Sequence, residues 1–84
     1  MMSGDLVRWS VESGAAHTGV FVRPIPAGDM PALPDGVSRG RAKFRASPSL
    51  RDRVLVRELV TGLYYAPRAA SLSVLATEDP AQIR

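Results

Sequence analysis

The sequence predicts a small, mostly β protein of five short strands, with a long proline- and glycine-rich loop after the second strand and a short helical turn before the last. Three observations carry this. The chain opens on strict apolar/polar alternation, the period of a half-buried strand. Later β-branched and aromatic residues fall in short runs bounded by turn residues. Between them, Pro24, Pro26, Pro31 and Pro34, with Gly28, Gly36 and Gly40, exclude a regular central strand or a helix interior.

In chain order, Asp5–Val11 places Val7, Trp9 and Val11 on one face and Leu6, Arg8 and Ser10 on the other. Residues 12–16 (Glu-Ser-Gly-Ala-Ala) read as a turn, and His17–Arg23 returns as the second strand of a hairpin. In the long loop that follows, cations at 39, 41, 43 and 45 alternate with small or apolar residues, so an extended conformation would point all four the same way. Residues 48–60 admit two readings. Ser47 could cap a helix with Pro48 in its first turn and Leu50, Val54, Leu55 and Leu59 on one face. The β-branched Val54 and Val56 flanking Leu55 favour instead a strand over Asp52–Leu59. Thr61-Gly62 then reverses the chain into a short strand at Leu63–Ala66, Pro67–Ala70 suits one helical turn, and Ser71–Leu75 is the last strand. Residues 1–76 are read as a single domain and 77–84 as a polar tail.

A chain of 84 residues has material for one core, and 45% hydrophobic against 23% charged residues offsets the entropy of folding it. No cysteine is present, which removes disulfides, thiolate nucleophiles and cysteine-rich zinc sites and fits a cytoplasmic location. Neither a signal peptide nor an apolar run long enough to span a membrane is expected. One histidine, scattered acids, no nucleophile elbow and no phosphate-cradling loop point away from an enzyme, and no cofactor or small-molecule substrate is implied. His17 itself reads as a satisfied surface side chain.

The formal charge is +3, but its distribution is uneven. From Gly36 to Arg57, seven cations face one acid (Asp52), a local net of +6 that leaves −3 for the remainder. Ten of the eleven basic residues are arginine, whose forked guanidinium suits phosphates and carboxylates. The candidate binding surface is therefore Arg39, Arg41, Lys43, Arg45, Arg51, Arg53 and Arg57. Tyr65 and Arg68 join it, because adjacent Tyr64 and Tyr65 in a strand face opposite ways and one of them can offer a stacking plane beside a charge. Such a surface could track a phosphate backbone, engage an acidic protein, or serve only as a solvated loop.

The order of elements resembles small SH3-like barrels, and Gly4–Trp9 followed by Gly19–Val22 is similar to the opening of SH3-like, Tudor-like and KOW-like modules. Val7 and Trp9, the loop Pro26–Pro31 and the stretch Tyr65–Leu72 also resemble short proteins of bacterial mobile elements. The resemblance to SH3-like modules implies a five-stranded barrel, the mobile-element group implies no established activity, and the missing catalytic motifs make the chain a non-catalytic binding protein. Its function would be that of an inhibitor encoded by a phage or other mobile element, docking on a host nucleoprotein complex such as a CRISPR effector and blocking its nucleic-acid binding. The alternative is an SH3-like module that binds RNA or DNA directly through its arginine-rich surface. Exposed strand edges allow a monomer or a weak dimer.

Overall fold

Val7 and Trp9 are buried on one face of β1 (Leu6–Ser10), while Arg8 and Ser10 face outward, as the opening alternation requires. The computed structural model describes residues 2–11 and 13–76; the tail expected at 77–84 lies outside them. Four further strands follow: β2 (Ala16–Ile25), β3 (Arg53–Glu58), β4 (Tyr64–Tyr65) and β5 (Ser73–Ala76). All pairings are antiparallel, in the order β4-β3-β2-β1-β5, so the first four strands meander and the last returns to the free side of β1. The protein is mostly β, and its helical content among the described residues is two single 3-10 turns, Arg39–Arg41 and Ala69–Ser71.

The sheet is strongly curled. β1 and β4 have two strands between them, which would separate them by about 14 Å in a flat sheet, yet the rings of Trp9 and Tyr65 have centroids 5.6 Å apart. The ladders among the described residues end at β4 and β5, so the sheet is described as curled rather than closed. Between those edges, the chain after β4 runs back along β3. Val54 N donates to Pro67 O and Ala69 N to Asp52 O, both at 3.0 Å, and the 3-10 turn at Ala69–Ser71 then delivers the chain to β5.

Curling makes one face an interior. Val7, Trp9, Phe21, Val54 and Val56 pack there, flanked by Val11, Tyr65 and Leu72. The other face carries a second cluster, Ile25, Leu55 and Tyr64, over which the long loop lays Leu33, Val37 and Phe44. β3 therefore lies between two apolar layers, with Val54, Leu55 and Val56 all buried. That decides the ambiguous segment: a helix would have needed Leu50 and Leu59 inside, and they are 100% and 51% exposed. Three consecutive buried residues, each contributing about 2 kcal/mol, suit a strand covered on both sides. Residues 47–52 instead form a loop, in which Arg51 N donates to Ser49 Oγ at 3.1 Å and Gly28 N to Ser49 O at 2.8 Å.

β2 is longer than the sequence pattern indicated, because it continues through Pro24 to Ile25. Two features allow this. Beyond Phe21 the strand has only β3 beside it, so the missing amide of Pro24 falls where just one neighbour needs partners. A register shift between Phe21 and Arg23 also changes the alternation, which is why Val22 and Ile25, three residues apart, both reach the second cluster.

The expectation that Arg39, Arg41, Lys43 and Arg45 project together from an extended segment is corrected. Arg39–Arg41 is a 3-10 turn, closed by Arg41 N on Ser38 O at 3.0 Å and capped by Ser38 Oγ, which accepts from Gly40 N at 3.3 Å. A local hydroxyl acceptor with glycine two residues on outcompetes extension here. Only then does the chain extend, Ala42 forming a parallel bridge to Tyr64 and Lys43 N donating to Tyr64 O at 2.8 Å.

Candidate binding groove

The bridge at Ala42 decides where the basic segment sits. It holds Lys43 and Phe44 against the outer edge of β4, opposite the end of β1 brought round by the curl. Between them lies a pocket of about 410 Å³ lined by Trp9, Ser10 and Val11 on one side, Lys43 and Phe44 on the other, and Tyr65–Arg68. Tyr65 and Phe44 are half-buried, Lys43 and Arg68 exposed. The pocket thus has aromatic walls and cationic rims. Trp9 belongs to the core at 2% exposure, and its Nε1 has no hydrogen-bond partner among the described residues.

Arg68 also lines a second pocket of about 550 Å³, with Ala27, Leu50, Arg51, Asp52, Ala69 and Ala70. The Asp52 carboxylate there is already engaged, accepting from Ala27 N at 2.9 Å. The two depressions adjoin at Arg68, and the exposed cations along this candidate groove are Lys43, Arg68 and Arg51. No protein-family model, no curated protein and no solved structure matches the chain.

Behind the first pocket lies a polar cluster that the sequence did not announce. His17, facing Trp9 across the β1–β2 pair, stacks on it at 5.9 Å and lies 5.3 Å from the Tyr65 ring, with Nδ1 on Glu58 Oε2. It is therefore half-buried and structural rather than an ordinary surface side chain. Glu58 is only 6% exposed. The Thr61 hydroxyl, donating to Oε1 at 2.6 Å, and the His17 imidazole hold its carboxyl below the ordinary glutamate range, against the opposing effect of burial. Burial, and next the Glu58 carboxylate, push the Tyr65 phenol up.

Because the folded pKa of Glu58 lies below its unfolded value, its stabilisation is complete above about pH 4.3 and is lost as pH falls through the folded value. Thr61→Val is expected to cost about 1–2 kcal/mol at neutral pH and to flatten the acid limb, since Glu58 then titrates closer to its unfolded value. Urea denaturation at several values between about pH 3 and 7 checks this; identical acid limbs in both proteins would remove Glu58 from the account.

The nine candidate residues are not brought to one place. Lys43, Tyr65 and Arg68 share the first pocket, and Arg51 joins Arg68 at the second. Arg39, Arg41 and Arg45 are exposed on the loop outside both. Arg57 projects from the sheet face opposite Trp9 and Tyr65, as its pairing with Tyr64 and Val20 shows. Arg53 is tied to the loop rather than free, its Nη2 donating to Ser47 O at 2.6 Å while its Nε is buried without a hydrogen-bond partner among the described residues. Arg53→Ala is accordingly expected to lower stability by about 1–2 kcal/mol, whereas Arg41→Ala and Arg45→Ala stay within about 0.5 kcal/mol. Thermal melts of the three variants test this, equal midpoints contradicting it. Phe44 and Pro67 were missed as lining residues; the available signal was an aromatic set inside a run of cations.

Proposed function

We propose that the protein is a non-catalytic binding module that takes single-stranded nucleic acid in the groove running over Arg68. The observation that carries this reading is the convergence of Tyr65 and Phe44 with Lys43, Arg68 and Arg51 along two adjoining pockets. An unpaired base offers a flat apolar face to the aromatic walls, and the flanking phosphates meet cations spaced along the rim. A duplex would keep its bases stacked inside and engage only the cations. The SH3-like barrel resemblance agrees with such a module.

One observation favours a second reading, in which the protein docks on a host nucleoprotein complex, such as one of the CRISPR type, and blocks its nucleic-acid site. Leu50 is fully exposed on the groove's rim beside Arg51, and an apolar anchor next to a cation suits an acidic protein surface better than a phosphate chain. Fluorescence anisotropy with labelled single-stranded and duplex oligonucleotides at low salt separates the two. Preference for the single strand, with competition by unlabelled strand, supports the groove reading; absence of binding at low salt overturns it and leaves the docking reading.

A further inference from the structure

The loop covers only half of the sheet's second face. Over the half nearer β1 the register builds two rows of side chains: Arg8–Thr18–Leu59, and Leu6–Val20–Arg57. Leu59 belongs to the first row because its amide continues the ladder, donating to Thr18 O at 3.1 Å. Leu6, Thr18 and Val20 are half-buried, Arg8, Arg57 and Leu59 exposed, and neither Leu6 nor Val20 belongs to either buried cluster. The result is an apolar diagonal, Leu6, Val20 and Leu59 with Thr18 beside them, and an arginine at each of the other two corners.

We propose that this patch is a second docking surface, separate from the groove, for an acidic amphipathic helix of a partner protein. Charge complementarity selects the occupant. The acids of the two paired strands nearest the patch are turned away: Glu58 faces the interior beside His17, and Asp5 is buried with its Oδ2 accepting from Met2 N at 2.8 Å. A second copy would bring the same two arginines to the contact and no acid to face them. Spacing selects the helix. Strand separation and rise place Arg8 and Arg57 about 12 Å apart at Cα, and two acids separated by two helical turns lie about 11 Å apart on one side of a helix. Leucines one turn in from each acid then fall over Leu6, Val20 and Leu59.

The test uses the full chain, isotopically labelled, and a synthetic amphipathic peptide of about 16 residues, long enough for helix formation. It carries glutamates two turns apart flanking two leucines; a control carries lysines in their place. Binding of the acidic peptide with amide shifts at Leu6, Arg8, Thr18, Val20, Arg57 and Leu59, weakened by salt, is the expected result. The variant R8E/R57E should lose at least about tenfold in affinity while keeping its melting midpoint, and R8A/R57A should lose less. Four outcomes overturn the proposal: no shifts at about 1 mM peptide, equal binding of the lysine control, shifts confined to the groove around Tyr65 and Arg68, or concentration-dependent shifts at the patch without peptide, which would assign it to a second copy. The oligonucleotide titration is read separately, so failure of either surface leaves the other standing.

Discussion

Gly19→Ala is expected to destabilise the protein by about 3 kcal/mol or more, among the largest effects of any single methyl group in the chain. Gly19 lies in the interior of β2, paired with Val7 on one side and Glu58 on the other. Its backbone is ordinary extended strand, so the demand for glycine is one of space. A methyl there would overlap the Arg57 carbonyl oxygen and sit 2.9 Å from Trp9 Cη2. Backbone cannot retreat without opening the β2–β3 ladder, and Trp9 cannot move without leaving its stack on His17 and its tilted contact with Tyr65. Trp9→Phe in the same chain should recover little, because it relieves the ring and not the carbonyl. Denaturant melts of the single and double variants check this; a Gly19→Ala protein as stable as the parent would mean that the strands separate there freely.

The second large effect concerns binding. If Lys43, Arg68 and Arg51 each meet one phosphate of a single strand, log affinity should fall against log salt with a slope of about −2, since each contact adds about 0.7. Replacing all three by alanine should flatten the slope towards zero. At low salt the same change should weaken binding about a hundredfold, three contacts at about 1 kcal/mol each. All three side chains are exposed, so the melting midpoint is expected to stay within a few degrees. Reversing Arg57 instead should leave oligonucleotide affinity almost unchanged, because it projects from the other face of the sheet. Equal losses from Arg57 and from the groove cations would replace the groove with a diffuse electrostatic surface.

These two effects arise from features set at different ranges along the chain. The local alternation of Val7 and Trp9, the reversal at Gly62 and the opposite facing of Tyr64 and Tyr65 follow from the period of a strand and the conformational freedom of glycine, both properties of neighbouring residues. Gly62 does adopt the left-handed region, at φ 72°. The strand at 53–58 was legible only as a preference, because Leu50 and Leu59 complete a helical face equally well on paper. What excludes the helix is a second apolar layer, Leu33, Val37 and Phe44, contributed by a loop whose prolines reveal where it cannot be regular and not where it goes.

The basic segment shows the same division more sharply. Its charge, its arginine bias and its position between the proline-broken loop and β3 are properties of the sequence by itself, as are the five strands and the single core-sized chain. The structure decided how the run splits. Ser38 closes a turn that breaks the alternation, the backbone of Lys43 adds to the β4 edge, Arg53 is tied to Ser47, and Arg57 leaves by the opposite face. Each of these is fixed by a hydrogen bond or a strand register, and in the case of Lys43 on Tyr64 O the bond joins residues far apart in the chain. The Ser38 turn is local, but the Lys43 bridge and the strand registers form only once the edge strand is in place, so no local pattern could encode which cations share a groove.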